Sequence, residues 1–264
     1  MKKAWHILII LPFLSACEKE LDFKYHKVES QFVIEGNLTE EGAEVVLTYT
    51  IPMDDSLPAE KIVDAEVILE DLTDNISYRL KEENGIFRNN IPGIPDHTYN
   101  LTVNHGEKTF ISSCLMRQGV EIVDLKFEWI KMPYDHVAVL EIQSTVSKTA
   151  GSCYWTQIYR NDKPYKWLVS HGSGAMNGIL SQTTFTTRQD LEEEDEKDML
   201  IDGDVVKVVV LPISLEMYDY LSAISSDSNG PSMFSGDYCL GYFLAAEKAQ
   251  SSITFHPSEI PYYQ

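Results

Sequence analysis

The 264-residue chain carries 41 acidic against 21 basic residues, a formal net charge of −20, and 44% of its residues are hydrophobic. A surface this acidic repels phosphate backbones and anionic headgroups, which argues against nucleic acid as a partner and against electrostatic docking on a membrane. The apolar share supports a packed core and argues against wholesale disorder, and the length suits one large all-β unit or two ordinary domains.

Lys2 and Lys3 precede an apolar run from Ala4 to Phe13, followed by Leu14-Ser15-Ala16-Cys17. A charged start, a short apolar stretch and small residues before a cleavage point make residues 1–16 a predicted secretory signal peptide. The run is about half of the ~20 residues that a membrane-spanning helix needs. Leu-Ser-Ala-Cys is similar to the bacterial lipobox, in which the thiol is acylated and becomes the first mature residue, so Cys17 is the expected lipidation site. Each buried CH₂ contributes about 0.8 kcal/mol, and several acyl chains on one cysteine make an effectively permanent anchor. Residues 17–30 are charged and aperiodic and read as a lipidated tether.

From Gln31 the chain becomes a series of short β signals separated by turn residues. Gln31–Glu35 runs into Gly36-Asn37, Val45–Tyr49 stops before Pro52, and Ala65–Glu70 and Ile76–Leu80 continue the pattern. Tyr99, Leu101 and Val103 alternate with Thr98, Asn100, Thr102 and Asn104, the period of a half-buried strand. Strands at this spacing with no intervening helix predict an immunoglobulin-like β-sandwich over 31–118.

A second β-rich domain is expected over 119–264. Leu125, Phe127 and Trp129 alternate with Asp124, Lys126 and Glu128, and Val137–Ile142 and Cys153–Tyr159 follow. Val205–Leu211 is apolar on both faces apart from Lys207, as a central strand is. Ser214 offers an N-cap oxygen, and Leu215, Tyr218, Leu221 and Ile224 recur every three residues, which predicts one short helix at 215–225. Tyr238–Ala246 and Ser252–Phe255 read as a closing hairpin. The expected fold class is therefore all-β: an immunoglobulin-like sandwich followed by a second β-rich domain with one short helix.

The chemistry-bearing clusters are sparse. Cys114, Cys153 and Cys239 leave at least one thiol unpaired in an oxidising compartment, and their spacing is too wide for a CxxC-type zinc site. They read as small buried hydrophobes. Asp190–Asp198 is strongly acidic but lacks the alternation and glycine of a calcium loop, so it reads as a solvated segment. His171-Gly172-Ser173-Gly174 does not match the Gly-x-Ser-x-Gly elbow, and a flexible loop is expected. No HExxH, P-loop or GxGxxG occurs. No catalytic residue, metal ligand or cofactor is assigned. Tyr165 and Trp167, on the second strand of a hairpin with loop 160–164, are the candidate ligand-binding residues, since exposed rings beside Asn161 and Asp162 suit stacking on a sugar. Asp55-Ser56-Leu57 makes Ser56 a candidate O-glycosylation site.

The order Cys17-Glu18-Lys19-Glu20-Leu21, Phe32-Val33-Ile34-Glu35-Gly36, Val46–Thr50, Val63–Val67 and Gly93 to Tyr99–Val103 resembles a family known as domain of unknown function 4249, found in outer-membrane lipoproteins of Bacteroidota. Asp202-Gly203-Asp204-Val205, Tyr218-Asp219-Tyr220 and Cys239-Leu240-Gly241-Tyr242-Phe243 extend the resemblance over nearly the whole mature chain. The segment before Cys239 departs from the asparagine- and glycine-rich stretch of that family. The resemblance implies a non-catalytic outer-membrane lipoprotein, anchored by lipid in the periplasmic or surface leaflet, that serves as an accessory or binding subunit of a TonB-dependent nutrient transporter. The alternatives are a free-standing glycan-binding lipoprotein and a hydrolase without a local motif.

Overall fold

The computed structural model describes residues 29–52, 58–133, 136–147, 151–188, 199–228 and 230–261. Cys17, Ser56 and the acidic run 190–198 lie outside the described residues. Among the described residues no helix is long and apolar enough to cross a membrane.

The first eight strands build one sandwich. Phe32–Thr39 (β1), Gly42–Tyr49 (β2), Ile86–Asn89 (β6) and Lys81–Glu83 (β5) form one sheet in the order β1-β2-β6-β5. Lys108–Leu115 (β8), Thr98–His105 (β7), Glu66–Asp71 (β3) and Ile76–Arg79 (β4) form the other, in the order β8-β7-β3-β4. With β4 set aside, this is the strand order of an immunoglobulin constant-type Greek key. Alternation dictates which side chains meet: Ile34, Leu38, Leu47, Val67, Leu101 and Phe110 point inward and are buried. Turn chemistry sets the register. Asn84 and Gly85, both at positive φ, make the two-residue hairpin turn between β5 and β6, the pairing favoured for a type I′ turn.

The second sandwich follows the same path. Ile122–Lys131 (β9), His136–Thr145 (β10) and Ile179–Arg188 (β13) form a three-stranded sheet in the order β13-β10-β9. It is covered by Lys163–His171 (β12), Cys153–Arg160 (β11), Val205–Ile213 (β14) and Ala249–Thr254 (β17), in that order. First, second and fifth strands thus oppose third, fourth, sixth and seventh, again an immunoglobulin-like arrangement. β14 is central, as its two-sided hydrophobicity predicts. The core is built from Phe127, Leu140, Tyr154, Val208 and Phe255 among others.

The helix forms where expected, at Leu215–Ser225 (α1), with the Ser214 hydroxyl accepting the Met217 N–H at 3.1 Å. It lies on the outer face of the β11–β14 sheet. Met217, Tyr220 and Leu221 are buried there with Trp155, Val209 and Leu211.

The expected closing hairpin is not formed. After α1 the chain returns to the first sandwich. Ser235–Gly236 (β15) pairs with Phe110 and Ile111 of β8, and Leu240–Ala245 (β16) runs parallel to β1 from Val33↔Leu240 to Leu38↔Ala245. Only then does β17 pair with β14. Phe234, Cys239, Phe243 and Ala245 are part of the first sandwich's core. The stretch 119–264 is therefore not a self-contained unit: an insertion between its sixth and seventh strands completes the sandwich of residues 31–118. Alternation marks 240–245 as a strand but carries no information about which sheet receives it. Gly241 permits the close approach. Its φ is 105°, and a Cβ there would stand 1.9 Å from the Ile34 carbonyl oxygen.

Candidate functional site

The returning insertion leaves a groove of about 470 Å³ between β8, the chain at 232–235, β16 and the start of α1. Its construction follows from strand parity. The Met116 N–H donates to the His97 carbonyl on the β7 side, so even-numbered residues of β8 face β7 and odd-numbered ones face away. On that outer edge Thr109 is satisfied by Asp237, whose carboxylate accepts the Thr109 N–H at 2.8 Å and whose own N–H donates to the Thr109 carbonyl at 3.0 Å. The Ile111 carbonyl accepts from the Ser235 hydroxyl at 3.2 Å. At the far end the Arg117 N–H donates to the Ala245 carbonyl at 3.2 Å, and its carbonyl accepts the Glu247 N–H at 3.0 Å. Ser113 and Leu115 lie between these two clasps and face the groove.

Ile111 and Leu115 line its outer wall, and Phe243 and Met233 line the side nearer the core. Half-buried Arg117 and, in the first turn of α1, Glu216 supply the charge. The Arg117 guanidinium forms no ion pair within the described residues, whereas Arg79, Arg88 and Arg160 are each paired with a carboxylate. The Cys114 thiol accepts the Ala245 N–H at 3.3 Å, and burial raises its pKa above the ordinary thiol value, which suits a packing residue and not a nucleophile. Burial likewise pushes the Cys239 thiol up to about 12. Cys114, Cys153 and Cys239 are all free thiols.

Two smaller clefts have less to offer. One of about 190 Å³ is lined by Glu41, Glu44, Arg88 and Lys248, whose charges are already matched as Lys248–Glu41 at 2.5 Å and Arg88–Glu44 at 2.9 Å. Another of about 220 Å³, beside the end of α1, is lined by Tyr220, Ile224, Tyr238 and Cys239.

The structure separates Tyr165 and Trp167. The turn between β11 and β12 is Asn161-Asp162, both at positive φ, which is shorter than the expected loop 160–164. A register shift follows at Ile158/Tyr159. Tyr165 packs against the sandwich core and donates its hydroxyl to the Thr186 carbonyl at 3.2 Å, with the Lys166 ammonium 5.0 Å from its ring centroid. Trp167 stands opposite Gln157 and is 37% exposed. Trp155 and Tyr159 face the helix side of the sheet, where Trp155 meets Tyr242 edge-on at 5.7 Å.

His171 and Ser173 come together at the 3₁₀ turn Gly172–Gly174, for which His171 is the N-cap. His171 Nδ1 accepts the Ser173 N–H at 3.1 Å and lies 2.7 Å from Ser173 Oγ. The pair acts as a cap. Within the described residues no carboxylate is paired with the His171 ring, so the base lacks an orienting third group.

Asp71, Asp74 and His97 are a cluster that sequence spacing does not reveal. Asp71 Oδ1 accepts the Thr73 and Asp74 N–H groups at 2.9 and 3.1 Å, while Oδ2 lies 2.8 Å from His97 Nδ1. Burial alone would raise the Asp71 pKa, but the His97 bond and the two backbone donors together hold it below the ordinary value. The Asp71 bond in turn raises His97. Every oxygen of Asp71 is engaged in holding the β3–β4 turn and the start of β7.

No protein-family model matches the chain, and no curated protein matches it. Among solved structures, a chain of a cytokine receptor complex aligns over 86% of this chain and 98% of its own length, at 8% identity and a TM-score of 0.28.

Proposed function

We propose that the protein is a non-catalytic binding and assembly subunit, held on the outer membrane by acyl chains on Cys17 and working beside a TonB-dependent nutrient transporter. The observation that carries the binding half of this reading is the groove at β8, where among the described residues Ser113 and Leu115 form no backbone–backbone bond on the outer edge and the Arg117 guanidinium forms no ion pair. The joined sandwiches support it too, since shared strands hold such a surface in a fixed geometry. The anchor and the transporter rest on Leu14-Ser15-Ala16-Cys17 and on the family resemblance. A free-standing glycan binder built on Tyr165 and Trp167 has less support, because the first ring is committed to the core edge.

Gentle detergent extraction of the tagged protein from its native membrane tests this reading, with mass spectrometry of whatever co-purifies. Wild type is expected in the detergent phase, carrying palmitate label and a near-stoichiometric transporter, while Cys17→Ala moves to the soluble fraction. A Cys17→Ala variant that still pellets and carries label defeats the anchor. A wild type that is extracted alone defeats the transporter partnership.

A further inference from the structure

The groove has the features of an interrupted β-ladder. β15 begins to pair the outer edge of β8 and leaves it after Ile111, and Arg117 closes the edge again through Ala245 and Glu247. Ser113 and Leu115 are the intervening outward-facing residues; among the described residues neither forms a backbone–backbone bond on that edge, and the Leu115 carbonyl accepts the Cys114 thiol at 3.6 Å. An edge of this kind is a template for another extended backbone. From Ile111 to Arg117 it spans about 20 Å at ~3.3 Å per residue, room for a short segment only.

We propose that this slot receives an extended peptide segment by β-strand addition to β8, with a carboxylate of the peptide set against Arg117. The statement rests on the binding reading above and names the partner's chemistry. Backbone pairing with Ser113 and Leu115 requires an extended chain. The two apolar walls, Ile111 with Leu115 and Phe243 with Met233, favour alternate small apolar side chains. The guanidinium without an ion pair selects a carboxylate, which it can hold in a two-pronged bond. Glu216 sits in the first turn of α1, where the helix dipole accommodates it, and disfavours a peptide with two adjacent acids.

The test uses the full-length protein and a pool of random-sequence hexapeptides with free C-terminal carboxylates, alongside the same pool amidated. Ser113→Pro removes an edge donor that the β7–β8 ladder does not use, and Ser113→Ala controls for loss of the hydroxyl. Wild type and Ser113→Ala should retain carboxylate peptides, with retention falling about tenfold or more in Ser113→Pro and Arg117→Gln. Amide exchange at Ser113 and Leu115 should slow when the peptides are present. The proposal is overturned if wild type retains no peptide, or if Ser113→Pro, with its melting transition intact, retains the same ones. Loss in Arg117→Gln alone would mean an anion site without strand addition and overturns it as well. Equal retention of the amidated pool removes the carboxylate. None of these outcomes touches the Cys17 anchor, which stands or falls on extraction.

Discussion

Asp71 and His97 are the residue pair whose charge states bear most directly on the first sandwich. The carboxyl of Asp71 sits below its ordinary value of 3.8, so the stability it contributes is present above that value and is lost as pH falls through the lower folded pKa. His97 is raised above 6.5, so its contribution is present below that value and is lost as pH rises through the higher folded pKa. The two windows overlap between roughly pH 4 and pH 6.5, and the melting temperature should be highest there. Asp96 and Asp74, which also hold His97 up, act in the same direction. Asp71→Asn should lower the melting temperature and flatten its decline on both sides of that range. An unchanged pH profile in Asp71→Asn would show that the pair does not govern the dependence. Neither residue is marked in the sequence, because they stand 26 positions apart and meet only when β3 and β7 pair.

At the scale of elements, β16 is the part whose sequence and role diverge most. Its inward residues Phe243 and Ala245 alternate as those of any strand do, and Gly241 resembles an ordinary turn signal until its neighbour is known. In the structure that glycine lies against the backbone of β1 at a φ few other residues adopt. Gly241→Ala should destabilise the chain by more than about 2 kcal/mol, since both strain and a backbone clash must be relieved. Urea unfolding measures this, and a loss under about 0.5 kcal/mol would mean that β16 shifts away from β1 freely. Helix α1 is the opposite case: Ser214, its acidic first turn and its apolar spacing are all local, and its bounds were readable to the residue. The hairpin turn at Asn161-Asp162 was narrower than expected because Lys163 and Pro164 extend β12 at the sheet edge, where a missing N–H is tolerated.

For the whole molecule, the returning insertion makes the two sandwiches interdependent. Phe234 and Phe243 alone, at about 1.5–3 kcal/mol of burial each, matter against a domain's net stability of about 5–15 kcal/mol. A fragment of residues 29–118 lacks both and exposes the β1 edge. It should show little amide-exchange protection in β1 and should aggregate, whereas the full chain protects β1 strongly. A soluble 29–118 fragment with protected β1 amides would show that the insertion is dispensable. The sandwich path itself was legible, since alternation and turn residues recur at the spacing of an immunoglobulin-like fold.

By itself the sequence determined the all-β class, the strands around Tyr99 and Trp129, the central place of β14 and the bounds of α1. Each depends on periodicity and capping within a few residues of chain, and those interactions are local. Only the tertiary structure decided where β15 and β16 pair, that Tyr165 and Trp167 part company, and that Ser113 and Leu115 face an open groove beside Arg117. A strand's partner is chosen by shape and burial across the whole chain, and an edge is empty only by reference to its neighbours, so neither leaves a pattern along the chain.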